Sequence, residues 1–287
     1  MGLFDDITKR IIDDLDKNAC VPWRRMWGGN RRPGNGAPVN GLTLRPYRGV
    51  NRLILQSADF GENRWLTFHQ IKSLNGSVRK ESKGTPVMYW RFPEDSETDD
   101  DGAKTERAGH PLAIRYIVFN VEQCVRLERL PAFEPVAPQT DDEAFAAAQA
   151  IVDGMPNPPV IKHGGDIACY IPSLDEVRMP KSFASLHEYY SVLYHELGHA
   201  TGSEKRLARP GVIGQASYKD DLYSFEELVA QIASMFLGEE AGIKPDWKNE
   251  VSYIESWRRQ LTKDHSLIVR AASHAQKAAD LVLNRIP

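Results

Sequence analysis

The residues best suited to chemistry in this chain are two histidines four positions apart, with a glutamate beside the first: His195-Glu196-Leu197-Gly198-His199. On a helix, side chains at i and i+4 share a face with Cβ atoms about 5–6 Å apart, so both imidazoles can reach one metal ion. Zinc favours neutral imidazole nitrogen, and in catalytic sites three protein ligands leave a fourth position for water. Zn²⁺, or another divalent ion, is the cofactor this spacing calls for. Glu196 lies beside that face, placed to take a proton from the water. With only 8 histidines in 287 residues, chance gives the pattern on the order of 1–2% of the time. We therefore read it as a site and not as two surface histidines.

The elements around the motif must hold it on a helix. Ser185-Leu186-His187-Glu188 reads as a capping box, and Leu186, Tyr189, Tyr190, Leu193, Tyr194 and Leu197 form an apolar side. Gly202 is placed as a C-cap. A third ligand is expected downstream, where Glu226 and Glu227 open an apolar helical run. A glutamate from a following helix completes a two-His, one-Glu site of the thermolysin type. Glu227 takes the ligand place on that comparison, with Glu226 as the alternative. Gln231, one turn later, stands where an acidic group would orient a ligand histidine; it accepts a hydrogen bond but brings no charge. A competing reading makes Ser224 and Glu227 a capping box, which would turn the carboxylate back to the helix start. Tyr218 and Tyr223 are candidates to meet a developing oxyanion, although tyrosines there read first as core.

The net charge of −3 hides an asymmetry. Residues 17–92 carry fourteen basic side chains against three acidic, a balance of +11, whereas residues 137–287 carry fifteen against twenty-one, a balance of −6. Opposed halves suggest that one end meets a polyanion. Single-stranded nucleic acid is bound by basic grooves interleaved with aromatic rings on which bases stack. Trp23-Arg24-Arg25-Met26-Trp27, Tyr47-Arg48, Trp65, Arg79-Lys80, Lys83 and Trp90-Arg91 fit that recipe. The contacts singled out are Trp23, Arg24, Tyr47, Arg48, Arg79, Lys80 and Lys83.

No apolar run reaches the ~20 residues that span a bilayer, and the first residues lack a signal-peptide pattern. Three well-separated cysteines suggest no disulfide framework. Cytoplasm is the expected compartment, with no membrane partner. Along the chain, residues 3–17 repeat at helical spacing and residues 22–50 read as an irregular Gly/Pro/Asn/Arg-rich loop. Thr67-Phe68-His69-Gln70 is a capping box. Residues 78–80 and 85–92 look like two strands around a Ser82-Lys83-Gly84 turn. Residues 94–101 are an acidic run, read as a solvated loop. Residues 112–121 read as a buried strand. Residues 131–140 are the linker candidate. Then come a helix over 141–152, a hairpin from 167–171 and 176–179, an amphipathic helix over 225–237 and one or two more helices within 253–283. The expectation is an α+β protein with domains at 1–130 and 141–287, joined by a linker at 131–140.

Taken together, Pro22-Trp23, Pro46-Tyr47-Arg48-Gly49-Val50-Asn51, Trp65 to Gln70, Gly76 to Lys80, Lys83 to Val87, Met179-Pro180, the histidine motif, Glu226 to Ala230 and Ala271 to Ala279 resemble the ArdC-type antirestriction proteins of conjugative plasmids. The resemblance covers nearly the whole chain. It implies an N-terminal single-stranded-DNA-binding domain, which adds Asn51 to the contacts. It also implies a mostly helical, zincin-like (gluzincin-type) metallopeptidase domain with a small sheet. The implied function is protection of transferred DNA from host restriction, with single-stranded DNA and a protein of the restriction or host DNA machinery as partners. The same N-terminal domain type also occurs in plasmid primases. Gln231 departs from the glutamate the family usually shows, and the acidic run looks like a local insertion. The alternative is a DNA-binding shield whose zinc is structural.

Overall fold

A computed structural model describes residues 5, 7–9, 11–13, 37–58, 60–91, 97–98, 104–105, 112–133, 140–214, 221–243 and 251–285. The fold is α+β in two domains, as expected. Trp23, Arg24, Tyr218 and most of the acidic run lie outside the described residues, as do residues 134–139 of the expected linker.

The N-terminal part is built on a four-stranded sheet of order β1 (Val39–Asn40), β2 (Arg64–Thr67), β7 (Leu112–Asn120) and β4 (Thr85–Arg91). β1 runs parallel to β2 and the other pairs are antiparallel. Helix α1 (Val50–Gln56) and helix α2 (Phe68–Ser73) flank it. The Thr67/Gln70 capping box forms in both directions. Trp65, Leu55 and Val118 close one small core; Leu66, Ile71 and Leu74 close another.

Two expectations need correction here. Residues 77–78 and 85–91 are both strands, but they do not pair with each other. β3 (Ser77–Val78) pairs with β8 (Cys124–Val125), while β4 takes the longer ladder along β7. Gly84 lets the chain enter that ladder flat, because a Cβ there would meet Ile117 Cγ2 at 2.2 Å. β7 is also not buried along its length: Leu112 is 61% exposed, Tyr116 45% and Ile117 39%. The reason is topological. β2 pairs only with residues 118–120, so the earlier half of β7 runs on beside β4 alone. Further along the same connection, β5 (Glu97–Thr98) pairs with β6 (Lys104–Thr105).

The C-terminal part contains α3 (Asp141–Asp153), β9 (Val160–His163), β10 (Cys169–Ile171), β11 (Glu176–Met179), α4 (Leu186–Ala200), α5 (Pro210–Ile213), α6 (Asp221–Ala241), α7 (Val251–Lys263) and α8 (Leu267–Val282). The expected β10–β11 hairpin forms, and β9 adds a parallel third strand, giving the order β10-β11-β9. Helix α6 is longer than the periodicity suggested and is not amphipathic. It is buried on almost every side from Glu226 to Glu239, because α3, α4, α5, α7 and α8 all pack on it. Its polar Ser234 is accommodated by donating to the Ser191 carbonyl at 2.9 Å.

The largest core crosses the sequence position where the linker was expected. Ile7, Ile11, Val50, Leu53, Ile54 and Met88 pack into one cluster with Leu228, Ile232, Phe236 and Ala272. Polar contacts reinforce the junction: buried Arg52 bonds Glu239 and the Phe236 carbonyl, and the Gly49 amide donates to Gln276.

Candidate metal centre

Helix α4 carries the histidines. Ser185 accepts the Glu188 amide at 3.1 Å, so the N-cap forms as read. The reciprocal half does not, because the Glu188 carboxylate takes the Ala184 amide instead. The packed side of the helix holds Tyr190, Leu193, Tyr194 and Leu197, and the His195 and His199 side chains are 22% and 14% exposed. Gly202 is not a left-handed cap; its φ is not among the positive ones. It is small because Val212 and Arg209 come within 2.5 and 2.9 Å of where a Cβ would sit. Gly198, inside the motif, has a similar reason: a Cβ there would lie 3.1 Å from Ala230 Cα. The missing side chain lets α6 approach α4 closely enough for its first turns to reach the histidines.

Three donors converge. His195 Nε2 lies 3.1 Å from His199 Nε2 and 3.3 Å from Glu227 Oε2, and His199 Nε2 lies 3.5 Å from Glu227 Oε1. Ligands about 2.0–2.2 Å from a tetrahedral ion are separated by roughly 3.3–3.6 Å. These donors therefore fit a divalent cation, which His195, His199 and Glu227 would hold. Ser224 does not compete for Glu227, since α6 starts at Asp221 and Ser224 lies inside it.

Glu226 has a different place. Its Oε1 faces His199 Nδ1 at 3.3 Å, and Arg209 grips it at 2.6 and 2.9 Å. A proton on Nδ1 toward this carboxylate leaves the Nε2 lone pair facing Glu227. Glu226 is thus placed to orient the His199 ring. Burial opposes a charge on His199, but hydrogen bonds to Glu226 and Glu227 outweigh it and push its pKa up to about 10. Burial also opposes ionisation of Glu227, yet the two imidazoles hold its carboxyl far below the usual range. The cluster is built to hold positive charge. Glu196 is buried beside it. The Cys169 thiol of β10 is pushed up by burial and then by the nearby Glu196 charge, which sets the sheet's edge strand alongside that carboxylate.

Residues 146–274 match the family described as zincin-like metallopeptidase, and residues 2–119 match the N-terminal domain of anti-restriction factor ArdC. The crystal structure of antirestriction ArdC protein from the R388 plasmid, in its metal-free form, superposes with a TM-score of 0.77 at 30% identity, over 99% of this chain and 98% of that one. Its Mn(II)-bound form gives 0.76 at 31%, over the same shares. The chain belongs to the ArdC antirestriction family. Relatives extend beyond it. DNA primase TraC of Escherichia coli is 34% identical over 97% of this chain, and a second TraC of that species is 33% identical over 96%. This chain spans only 27% and 19% of the length of those primases. Protein y4eC of Sinorhizobium fredii is 34% identical over 97% of this chain and 90% of its own length.

Within the ArdC N-terminal domain, the residues read as DNA contacts divide by exposure. Arg79, Lys80 and Lys83 stand exposed together on the β3–β4 connection, with Arg79 Nε donating to the Glu122 carbonyl at 3.0 Å. Arg48 is exposed but paired with buried Asp280. Tyr47 is packed on the Leu55/Trp65 core, and burial raises its hydroxyl pKa. Asn51 is turned inward: its side-chain amide donates to the Met88 carbonyl at 2.6 Å and accepts the Met88 amide at 2.7 Å, covering the β4 edge. Sequence reading missed Tyr89 and Tyr116, exposed and edge-to-face with centroids 5.9 Å apart, with Arg91 and Arg115 exposed on the same two strands.

Proposed function

We propose that this ArdC-family chain protects transferred DNA from restriction by binding single strands through its N-terminal domain and hydrolysing a protein partner at a zinc centre in its C-terminal domain. The setting proposed is the cytoplasm of a cell receiving conjugative DNA. The protein partner would belong to the restriction or host DNA machinery. The convergence of His195, His199 and Glu227 carries the peptidase half. Zinc suits two imidazoles and one carboxylate; manganese is the alternative, being the ion in the R388 ArdC structure.

A bound divalent cation would supply Lewis acidity to a peptide carbonyl and to the attacking water. Glu196 accepts the proton from that water and delivers it to the departing amine nitrogen as the C–N bond breaks. Glu226 keeps the His199 ring oriented. Among the described residues β10 is an edge strand, and its backbone groups would pair with an extended peptide. The DNA half is supported by the +11 balance of residues 17–92, the exposed Arg79/Lys80/Lys83 group and the Tyr89–Tyr116 pair.

The test is transfer of DNA bearing a restriction site into a restricting host. Glu196→Ala should retain DNA binding and lose protection; full protection in that variant would remove peptide hydrolysis from the function. One observation favours a second reading, a DNA-binding shield with a structural metal. Glu227 comes from a helix that is buried on almost every side, where a cation would also staple the core. That reading expects full protection from Glu196→Ala and none after charge reversal of Arg79, Lys80 and Lys83.

A further inference from the structure

We infer that Arg209 is a positioning residue for the metal centre: acting through Glu226, it fixes the His199 ring and keeps Glu226 itself out of the ligand set. The inference rests on the metal-centre reading above. Two adjacent buried glutamates both reach His199, from opposite sides of its ring, Glu226 at Nδ1 and Glu227 at Nε2. Nothing in the carboxylates themselves decides which one coordinates. Arg209 decides it.

Its side chain is 3% exposed, and it holds Glu226 bidentately, Nε to Oε2 at 2.9 Å and Nη2 to Oε1 at 2.6 Å. A forked guanidinium–carboxylate pair fixes both distance and plane. The rest of the guanidinium is anchored to the end of the histidine helix itself, Nη2 to the Gly198 carbonyl and Nη1 to Thr201 Oγ1, each at 2.7 Å. Glu226 is therefore positioned relative to the same helix that carries the imidazoles. The main chain of Arg209 is held too, its amide donating to the Gly202 carbonyl at 2.9 Å. The Arg209 charge offsets that of Glu226, whereas Glu227 faces the two imidazoles. A carboxylate on Nδ1–H orients a ligand histidine and raises its basicity. In the sequence, Arg209 stands before a proline, three positions after Arg206 and seventeen before Glu226.

The test is Co²⁺ and Zn²⁺ binding by the full chain, measured by competition with a chromophoric chelator, together with the visible absorption of the Co²⁺ form. Arg209→Met and Glu226→Gln should each weaken binding by about 10–100-fold. Arg209→Met should also alter the Co²⁺ spectrum, as the released Glu226 enters the coordination sphere. Arg209→Lys, which keeps the charge and loses the fork, should fall between parent and Arg209→Met in affinity. Parent-like affinity and spectrum in Arg209→Met and Glu226→Gln would overturn the inference. Should Arg209→Met not fold, Glu226→Gln and Arg209→Lys decide it by the same affinity criterion. A different result sinks the metal-centre reading itself, and the inference with it: a parent chain that takes up neither ion, or a His195→Ala/His199→Ala variant that binds as tightly as the parent.

Discussion

Arg52, from the N-terminal domain, donates through Nε to Glu239 of α6 at 3.0 Å, and both side chains are buried. Glu227 sits at the other end of that helix, so one rod carries both the domain junction and a proposed metal ligand. Removing one partner of a buried ion pair leaves an uncompensated charge and costs about 3–5 kcal/mol. Arg52→Met should therefore lower unfolding free energy by about that amount, read from denaturant titration. Arg52→Met combined with Glu239→Gln should recover part of the loss. Additive losses in the double variant would argue against direct coupling.

Metal removal should destabilise the C-terminal core. A ligand bound only by the native state, at a hundredfold excess over its Kd, adds about 2.7 kcal/mol. Chelation should thus lower Tm by roughly 4–5 °C in a chain of this size, with no effect on a His195→Ala/His199→Ala variant. An equal shift in that variant would place the bound ion elsewhere.

Gly198 is expected to be intolerant of a methyl group. In Gly198→Ala the added carbon would lie 3.1 Å from Ala230 Cα and 3.2 Å from its carbonyl oxygen, so α6 must move away by a few tenths of an ångström. Overpacking of this kind costs about 1–3 kcal/mol. Because the shift also withdraws Glu227, Zn²⁺ affinity should fall together with stability. Unchanged affinity in a destabilised Gly198→Ala protein would show that α6 adjusts without moving its first turns.

DNA binding should be steeply salt-dependent. Each phosphate contact on a single strand contributes a slope of about −0.7 in log K against log[salt]. Arg79→Ala, Lys80→Ala and Lys83→Ala combined should make the slope shallower by about 2, while Asn51→Ala should act on stability and leave the slope alone. Tyr89→Ala with Tyr116→Ala should weaken single-strand binding by about 1–3 kcal/mol per stacked base without changing the slope. A slope insensitive to the triple variant would move the phosphate track off the β3–β4 connection.

Asp175 should contribute to the acid limb of stability. Burial raises its pKa, but the Arg206 hydrogen bonds and the Tyr170 hydroxyl outweigh this and hold it below its usual value. Its contribution is present above the unfolded pKa and is lost as pH falls through the lower folded one. Asp175→Asn should therefore cost stability at neutral pH and flatten the decline below about pH 4. The left-handed backbone at this position, φ 49°, suits Asn as well as Asp. An unchanged acid limb would assign that decline to other carboxylates.

Much of the centre was legible in the sequence because it is local. Two imidazoles at i and i+4 share a face wherever a helix forms, and the Ser185 cap and apolar side made that helix readable. The strands of β10 and β11, the capping box at Thr67, the N-cap at Ser185 and the charge asymmetry were equally plain. What the sequence could not fix was orientation between elements. Glu226 and Glu227 differ by about 100° around α6, and the way α6 lies against Gly198, with Arg209 holding Glu226, gives Glu227 the Nε2 side of the histidines and Glu226 the Nδ1 side of His199. Exposure was likewise undecided by residue type. Asn51 and Tyr47 sit in a basic, aromatic stretch, yet the packing of α1 against β4 and the C-terminal helices turns them inward. Tyr89 and Tyr116 face outward because the sheet narrows to two strands around them. Residue identity and spacing thus set the available chemistry, while long-range packing, whose partners lie tens to hundreds of positions apart, chose which side chains are placed to perform it.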